Sequence, residues 1–314
     1  MNPAAPARPT LSPLLLACLA ATWLVWGSTY LAIKFALLSL PPFLQMGTRF
    51  VAAGGLLLAW MRWRGAPWPS PAQWRNAALV GALMLGGGMG GTAVAEESVG
   101  SGLVVAFIAV VPLMMAALNW AGGTRPRRLE AAGIGVGLAG VLMLTQGAGF
   151  RASGSGLAAV VVSCAAWSVG SVLSQRRLPL APGAMGYASE MLCGGLLLLA
   201  VAALTGERPL HPLQPLALAA WGYLVVFGSL VAFNAYMVLL ARAPALASSY
   251  AFVNPVIAMG LGVAVAGEAV TGFEWAAAGV VAVGVLLLLL AERRAPGPAA
   301  APGRPLEPAP CASE

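Results

Sequence analysis

The sequence is poor in the residues that enzymes and metal-binding proteins use most. Its 314 residues include no aspartate and a single histidine, His211. The four cysteines, Cys18, Cys164, Cys193 and Cys311, form no CxxC pair. These absences exclude a protein-built metal cage, an aspartate proton relay and a disulfide framework. They also disfavour a membrane enzyme, which needs clustered His or Asp, or a nucleophile with its base. We expect no resident cofactor.

Charge is also scarce, and apolar residues are abundant. The chain is 9% charged and 60% hydrophobic, whereas ordinary soluble domains are about a quarter charged. A soluble domain of this length still exposes roughly a quarter of its extended-chain surface, which so few charges cannot cover. The chain is therefore predicted to be an integral membrane protein surrounded by lipid. The net charge is +7, and the basic residues that carry it are spread between the apolar runs rather than clustered on one surface. We therefore expect no nucleic-acid partner.

The apolar runs are long enough to cross a bilayer as helices. A hydrocarbon core about 30 Å thick requires about 20 helical residues. The predicted spans cover residues 14–37, 43–61, 76–97, 100–120, 129–147, 156–175, 184–204, 216–240, 245–266 and 273–291. The first run is too long for a signal peptide, so we expect it to be retained as a helix.

The basic residues orient these spans. With the N-terminus in the cytoplasm, 13 of the 17 Lys and Arg residues lie inside and only Arg151 and Arg208 lie outside. The positive-inside rule therefore predicts a multi-pass inner-membrane protein with both termini in the cytoplasm. Residues 1–13 form a cytoplasmic N-terminal segment, and residues 292–314, rich in Pro and Ala, are predicted to be a disordered cytoplasmic tail.

Landmark residues recur at a nearly constant spacing. The pairs are Trp26 with Trp167 and Arg49 with Glu190, both 141 residues apart, and Pro112 with Pro255, 143 residues apart. Chance similarity between apolar runs would pair Leu and Ala more readily than Trp and Pro. Residues 14–147 and 156–291 each hold five spans, and an odd number reverses the second copy in the membrane. The predicted fold is all-α, with ten transmembrane helices in two inverted five-helix repeats.

Several short motifs, in this order, resemble one transporter family. They are Trp26-Gly27-Ser28-Thr29-Tyr30, the Pro41-Pro42 turn before Arg49-Phe50, Ala109-Val110-Val111-Pro112, and Tyr250-Ala251-Phe252-Val253-Asn254-Pro255. The sequence resembles the EamA-type branch of the drug/metabolite transporter superfamily over residues 14–291. This resemblance implies ten helices around a central cavity, and alternating access that exports amino acids, other metabolites or toxic compounds. It does not identify the substrate.

Candidate substrate-binding residues lie deep in the spans, where inverted-repeat transporters bind their solutes. They are Trp26, Ser28, Tyr30, Trp167, Ser171, Asn234, Tyr236, Tyr250 and Asn254. Pro112 and Pro255 are candidate helix-breaking or gating residues, because proline removes a backbone hydrogen bond. The alternative is that the rings pack ordinarily and that the amides join helices, at about 0.6 kcal/mol each.

Two charges lie inside spans, where ionisable groups are functional hypotheses by default. We expect Arg49 to snorkel to the interface and Glu190 to lie at a span end or in a water-filled vestibule. Two roles are considered for each residue: coupling solute transport to proton movement, or stabilising the fold. Glu190 is the better candidate for proton coupling. Glu96, Glu97 and Glu207 lie at outer ends of spans and are interpreted as solvated loop charges rather than as a cation-attracting rim.

The segment from Gly135 to Gly140 matches the dinucleotide pattern GxGxxG but lies inside a span with no preceding strand. Close helix packing is the better interpretation, since Gly133 and Gly137 also form GxxxG. No Walker A motif is present, which disfavours direct ATP drive.

The function predicted is secondary transport of small metabolites, with amino acids as the first expectation, by a monomer or homodimer in lipid. A multidrug or toxic-compound exporter is the alternative, and a channel or a membrane enzyme is less favoured.

Overall fold

The computed structural model describes residues 12–98, 104, 107–108, 110–144, 153–247, 249–266 and 271–293. All regular structure in these ranges is helical. The helices are α1 (Pro13–Ala36), α2 (Pro42–Trp63), α3 (Pro71–Glu96), α4 (Val111–Ala121), α5 (Arg128–Leu144), α6 (Gly154–Arg176), α7 (Ala184–Thr205), α8 (Pro215–Arg242), α9 (Tyr250–Ala266) and α10 (Gly272–Arg293). A short helix, Pro244–Ala247, precedes α9. The predicted tail beyond residue 293 lies outside the described residues.

Local signals explain where several helices begin and end. The Ser12 side chain caps α1, and Pro13 occupies its first turn, where a missing N–H costs no hydrogen bond. A capping box between Ser70 and Gln73 starts α3. At the end of α7, Gly206 adopts a left-handed conformation with φ 73°. Most predicted spans therefore coincide with helices to within five residues, whereas α4 begins at Val111 and much of the first half of the fourth predicted span, 100–120, lies outside the described residues.

The surface of the helices is strongly apolar. Large side chains such as Leu24, Trp63 and Leu204 are 63%, 76% and 88% exposed. Among the described helices, α1, α3, α6, α7 and α8 are both long and apolar enough to cross a membrane. Such a surface suits lipid rather than water. The total of ten spans and the cytoplasmic placement of the termini stay predictions.

The two halves pack through equivalent contacts. Helix α2 packs against α7, and α5 packs against α10. The contact of α3 with α6 has its counterpart in α8 with α1, and that of α4 with α6 has its counterpart in α9 with α1. Because α1 and α6, α3 and α8, and α4 and α9 are the matching helices of the two predicted repeats, each of these contacts with α1 or α6 has its pseudosymmetric counterpart.

The glycines of the apparent dinucleotide motif lie where helices pack closely together. A Cβ atom on Gly137 would lie 3.0 Å from the Phe252 ring, and one on Gly140 would lie 2.7 Å from the Val281 backbone nitrogen. A Cβ atom on Gly133 would lie 3.0 Å from the Gly284 carbonyl, whereas Gly135 faces open space. The interpretation of this segment as a helix-packing surface is confirmed.

Among the described residues, each half contains one wide, π-helical segment. The first is Ala82–Gly90 in α3, and the second is Leu224–Phe233 in α8, beginning 142 residues later. Such segments are rare and occur frequently at functional sites. In the first, the Gly88 carbonyl accepts hydrogen bonds from Thr92 and Ser163, and in the second the Gly228 carbonyl accepts one from Trp26. The wide turns thus hold side chains of neighbouring elements.

Glu207, in the connection between α7 and α8, is not a solvated loop charge. Its carboxylate accepts hydrogen bonds from the backbone N–H groups of Phe43, at 3.2 Å, and Leu44, at 2.7 Å. Both donors belong to the first turn of α2, where free N–H groups and the helix dipole favour a negative charge. The sequence interpretation of Glu207 was wrong because it considered only the local loop.

Candidate functional site

A cavity lies between the two halves of the protein. It has a volume of about 40 Å³ and is lined by α1, α3, α4, α6 and α9, together with Ile108. Its aromatic lining consists of Trp26, Tyr30, Trp167 and Tyr250. A volume of this size holds only a few water molecules, at about 10–15 Å³ each. The cavity is therefore narrow in the described conformation.

An aromatic cluster borders this cavity: Trp26, Trp167 and Tyr250 line it, and Tyr236 packs against the first two from outside the lining. The Trp26 and Trp167 rings, which are repeat mates, meet edge to face with their centroids 5.7 Å apart. Tyr250 lies 4.8 Å from Trp26, and Tyr236 lies 5.0 Å from Trp26 and 5.4 Å from Trp167. These separations are those of mutually attractive rings. The structure thus brings together four of the aromatic residues that the sequence singled out.

Hydrogen bonds fix the orientation of these rings. The Trp26 indole donates to the Gly228 carbonyl at 3.1 Å, and the Trp167 indole donates to the Tyr236 hydroxyl at 3.3 Å. That hydroxyl also lies 3.1 Å from the Ser171 Oγ atom, which is fully buried. Because the polar ends of Trp26, Trp167 and Tyr236 have partners, these three rings are fixed in orientation rather than loosely packed.

The polar wall of the cavity contains residues that the sequence analysis missed. Thr92 and Ser163 line the cavity and share a hydrogen bond of 2.9 Å across the contact between α3 and α6. Thr92 follows Gly88 by four residues, and Ser163 precedes Trp167 by four, so each lies one helical turn from another cavity residue. That helical spacing is the signal in the sequence that could have identified Thr92 and Ser163 as cavity residues.

Asn254 and Pro255 lie beside the cavity in α9. The Asn254 side chain is fully buried and lies close enough to the Tyr30 side chain to interact with it, although neither amide atom meets ordinary hydrogen-bond geometry. It follows the cavity residue Tyr250 by one turn. Pro255 lies inside the helix, where it lacks the N–H group that would bond to the Ala251 carbonyl. Unused polar groups therefore collect on this side of the cavity.

Three other candidates lie apart from the cavity lining. Ser28 Oγ lies 2.6 Å from the Tyr223 hydroxyl and joins α1 to α8. The Asn234 amide donates to the Leu230 carbonyl of its own helix at 2.7 Å. Pro112 occupies the first turn of α4, where no helical hydrogen bond is lost, and it is buried. Substrate contact by the first two and gating by Pro112 stay predictions.

Arg49 is buried within the protein, so the expectation that it snorkels to the interface was wrong. It is 1% exposed, and its Nε atom donates to Ser229 Oγ at 2.8 Å. The guanidinium also lies 4.9 Å from the Phe50 ring centroid. Ser229 belongs to the π-helical segment of α8. Arg49 therefore joins α2 to α8, a contact that hydropathy could not reveal.

Glu190 is also fully buried, which contradicts its expected solvation at a span end or in a vestibule. Neither of its carboxylate oxygens has a hydrogen-bond partner. Its backbone carbonyl lies beside Gly81, where α7 packs on α3. An unpaired buried carboxylate is unfavourable when it is charged. The Glu190 side chain is therefore stable here only when it is protonated or paired with a cation.

Glu96 differs from its neighbour Glu97. Glu96 is 8% exposed, and both of its oxygens lack a hydrogen-bond partner, which overturns its interpretation as a solvated charge. Glu97 is exposed, and its pKa is raised by partial loss of hydration and by the nearby Glu207 carboxylate. Consecutive carboxylates at the end of α3 thus lie in different environments, one inside the protein and one outside.

The sequence matches known transporters over most of its length. YedA of Escherichia coli K12, an uncharacterized inner membrane transporter, is 41% identical over 279 residues, covering 88% of this chain and 90% of YedA. An uncharacterized transporter of Synechocystis is 26% identical, covering 86% of this chain and 88% of its own length. A solved structure, 23% identical, superposes with a TM-score of 0.71 over 90% of this chain and 98% of that one, which shows a shared fold.

A family model separates the chain into the same two halves. The model of the EamA-like transporter family matches twice, at residues 11–146 and at residues 154–290. The break between the matches falls between α5 and α6, where the pseudosymmetric contacts also divide the helices. The relationship to YedA assigns the chain to the inner membrane. The chain belongs to the EamA-like transporter family.

Proposed function

We propose that the protein exports or exchanges small amphipathic metabolites across the inner membrane by alternating access, with amino acids as the first class to test. The observation that carries the proposal is the cavity between the halves, lined by the repeat-related pair Trp26 and Trp167. Residues of both halves contribute to it, so a movement of one half relative to the other changes its size and its access.

The cavity and the ring contacts beside it support a transporter in a narrow conformation. The cavity measures about 40 Å³, and beside it the Trp26 ring contacts the Trp167, Tyr236 and Tyr250 rings. A channel needs a continuous path in its open state, whereas a carrier passes through a closed state. Gly88 and Met89 of the π-helical segment in α3 line the cavity, and such segments occur frequently at functional sites.

The aromatic lining also favours the second candidate, a multidrug exporter. Trp26, Tyr30, Trp167 and Tyr250 suit flat apolar solutes as well as the side chains of apolar amino acids. The two functions differ in the size of the solute that an opened cavity accepts.

Flux into liposomes containing the purified protein tests the proposal. The solutes are amino acids, nucleosides, sugars and lipophilic cations, each measured with and without a proton gradient. We expect saturable flux for an amphipathic amino acid or a related metabolite, and flux of lipophilic cations alone would favour the multidrug exporter. Protein-free liposomes are the control, and absence of saturable flux for every solute would contradict transport.

The two asparagines give a matched test of where the site lies. We expect Asn254→Ala to raise the apparent KM for the transported solute about 3–10-fold, in line with the loss of one buried polar contact. Asn254 lies beside the cavity with free amide atoms, whereas the Asn234 amide is bonded within its own helix. Its own hydrogen bond makes Asn234 the weaker of the two candidates for substrate contact, so Asn234→Ala is expected to change KM less, within about twofold of the wild-type value. Equal KM values for Asn254→Ala and the wild type would place the site elsewhere.

A further inference from the structure

The geometry points to Glu96 as the residue that binds the protonated amine of a solute whose apolar or aromatic body occupies the cavity. This inference rests on the proposed transport function, and it narrows the solutes to amphipathic amines, including amino acids that present their ammonium group. The carboxylate lies at the end of α3, next to the cavity but outside its described lining.

The position of Glu96 on α3 sets its relation to the cavity. Gly88, Thr92 and Glu96 follow one another at four-residue intervals and share one side of the helix, and the first two line the cavity. Across the contact with α1, the nearby groups are Tyr30, which lines the cavity, and Lys34. Glu96 therefore lies one turn beyond the cavity wall, towards the predicted outer surface.

The carboxylate lacks a permanent partner. Both Glu96 oxygens are buried and unbonded, although Lys34 is near enough to act on them electrostatically. The Lys34 side chain is exposed, so its ammonium has water available to it. A buried carboxylate without a partner is strongly unfavourable when charged. Binding a cation relieves that penalty, which gives an amine an affinity that a neutral solute of the same shape lacks.

The cavity lining suits the remainder of such a solute. The Trp26, Tyr30, Trp167 and Tyr250 rings offer apolar surface and electron-rich faces, which attract ammonium groups as well as aromatic bodies. The Thr92 and Ser163 hydroxyls add polar groups to the cavity wall, and Thr92 lies one helical turn before Glu96 on α3. The combination of an aromatic wall with a single carboxylate at one end matches a molecule that carries one positive charge on an apolar frame.

The other buried carboxylate is too distant to serve this end of the cavity. Glu190 adjoins Gly81, which precedes Glu96 by fifteen residues on α3. At 1.5 Å per residue, the two positions are about 22 Å apart along the helix. Glu97 adjoins Glu96 in sequence but is exposed, and it serves as the matched control.

Binding of two isosteric probes to the full chain in lipid nanodiscs tests the inference. The probes are phenethylamine, which is protonated at neutral pH, and 2-phenylethanol, which is neutral. We expect the wild type to bind the amine more tightly than the alcohol, and Glu96→Gln to weaken amine binding at least tenfold while alcohol binding is unchanged. Glu97→Gln is expected to bind both probes as the wild type does.

Glu96→Asp keeps the charge and is expected to fall between the wild type and Glu96→Gln in affinity for the amine. Thermal unfolding of each variant checks that it is folded. Equal binding of amine and alcohol by the wild type would overturn the inference, as would a Glu96→Gln variant that binds both probes more weakly by the same factor. The binding assay does not require flux. If the protein binds the amine selectively through Glu96 but transports no solute, only the proposed function is contradicted. If it transports a solute but Glu96→Gln binds the amine as the wild type does, only this inference is contradicted.

Discussion

Replacing Gly284 with alanine is expected to lower the unfolding temperature, although alanine favours a helix over glycine by about 1 kcal/mol. A Cβ atom at Gly284 would lie 2.5 Å from the Gly137 backbone nitrogen and 2.6 Å from its Cα atom. Because the obstacle is backbone, no side chain can rotate away, and α5 and α10 must separate. Overpacking of this kind costs about 1–3 kcal/mol, and we expect a fall on the order of 5 °C.

Gly279→Ala is the matched control for this effect. Gly279 lies on the same helix and is exposed, and a Cβ atom added to it would have no other atom within 4 Å. We expect its unfolding temperature to equal or slightly exceed that of the wild type, because only the helix preference changes. Thermal unfolding in detergent, followed by circular dichroism, compares the two variants. An unfolding temperature for Gly284→Ala at or above that of Gly279→Ala would show that α5 and α10 are not packed this closely.

Replacing Trp26 with alanine is expected to reduce the rate of solute flux at least about tenfold, because the ring packing lies at the proposed transport site and a barrier raised by about 1.4 kcal/mol there slows the rate tenfold. The Trp26 ring contacts Trp167, Tyr236 and Tyr250, and its indole donates to Gly228. Its removal opens the aromatic wall that both halves share and frees the wide segment of α8. Initial rates in liposomes with equal amounts of inserted protein measure the effect.

Two further variants separate this role from a general loss of an aromatic ring. Trp275 in α10 is 56% exposed, so Trp275→Ala is expected to transport at the wild-type rate. Trp26→Phe keeps ring contacts but loses the indole N–H, and it is expected to lie between the wild type and Trp26→Ala. Gel filtration confirms that each variant is folded. A wild-type rate for folded Trp26→Ala would remove the aromatic wall from the mechanism.

The sequence predicted the helical spans well because lipid imposes one requirement along the whole chain. About 20 apolar residues are needed for each crossing, and helices occur at the predicted positions, with α7 at residues 184–205 against a predicted 184–204. The Trp26 and Trp167 landmarks predicted a repeat, and the structure brings the two rings into contact. The variants described above test the roles of residues within the candidate site.

The sequence could not predict the environments of its charged residues, because a side chain near a span end turns either to water or to a neighbouring helix. Glu96 and Glu97 are adjacent in sequence, but the packing of α3 against α1 buries only the first. Glu207 depends on the first turn of α2, which precedes it by more than 160 residues. Arg49 reaches Ser229 only because α2 packs against α8.

By itself, therefore, the sequence determined which segments are helical and apolar and that two similar halves exist, since these properties depend on composition and local spacing. The tertiary structure alone decided that Thr92 meets Ser163, that Trp26 bonds to a carbonyl in a wide turn, and that Glu96 lacks a partner. These contacts join residues up to about 200 positions apart, and their geometry depends on how the helices of both halves pack around one cavity.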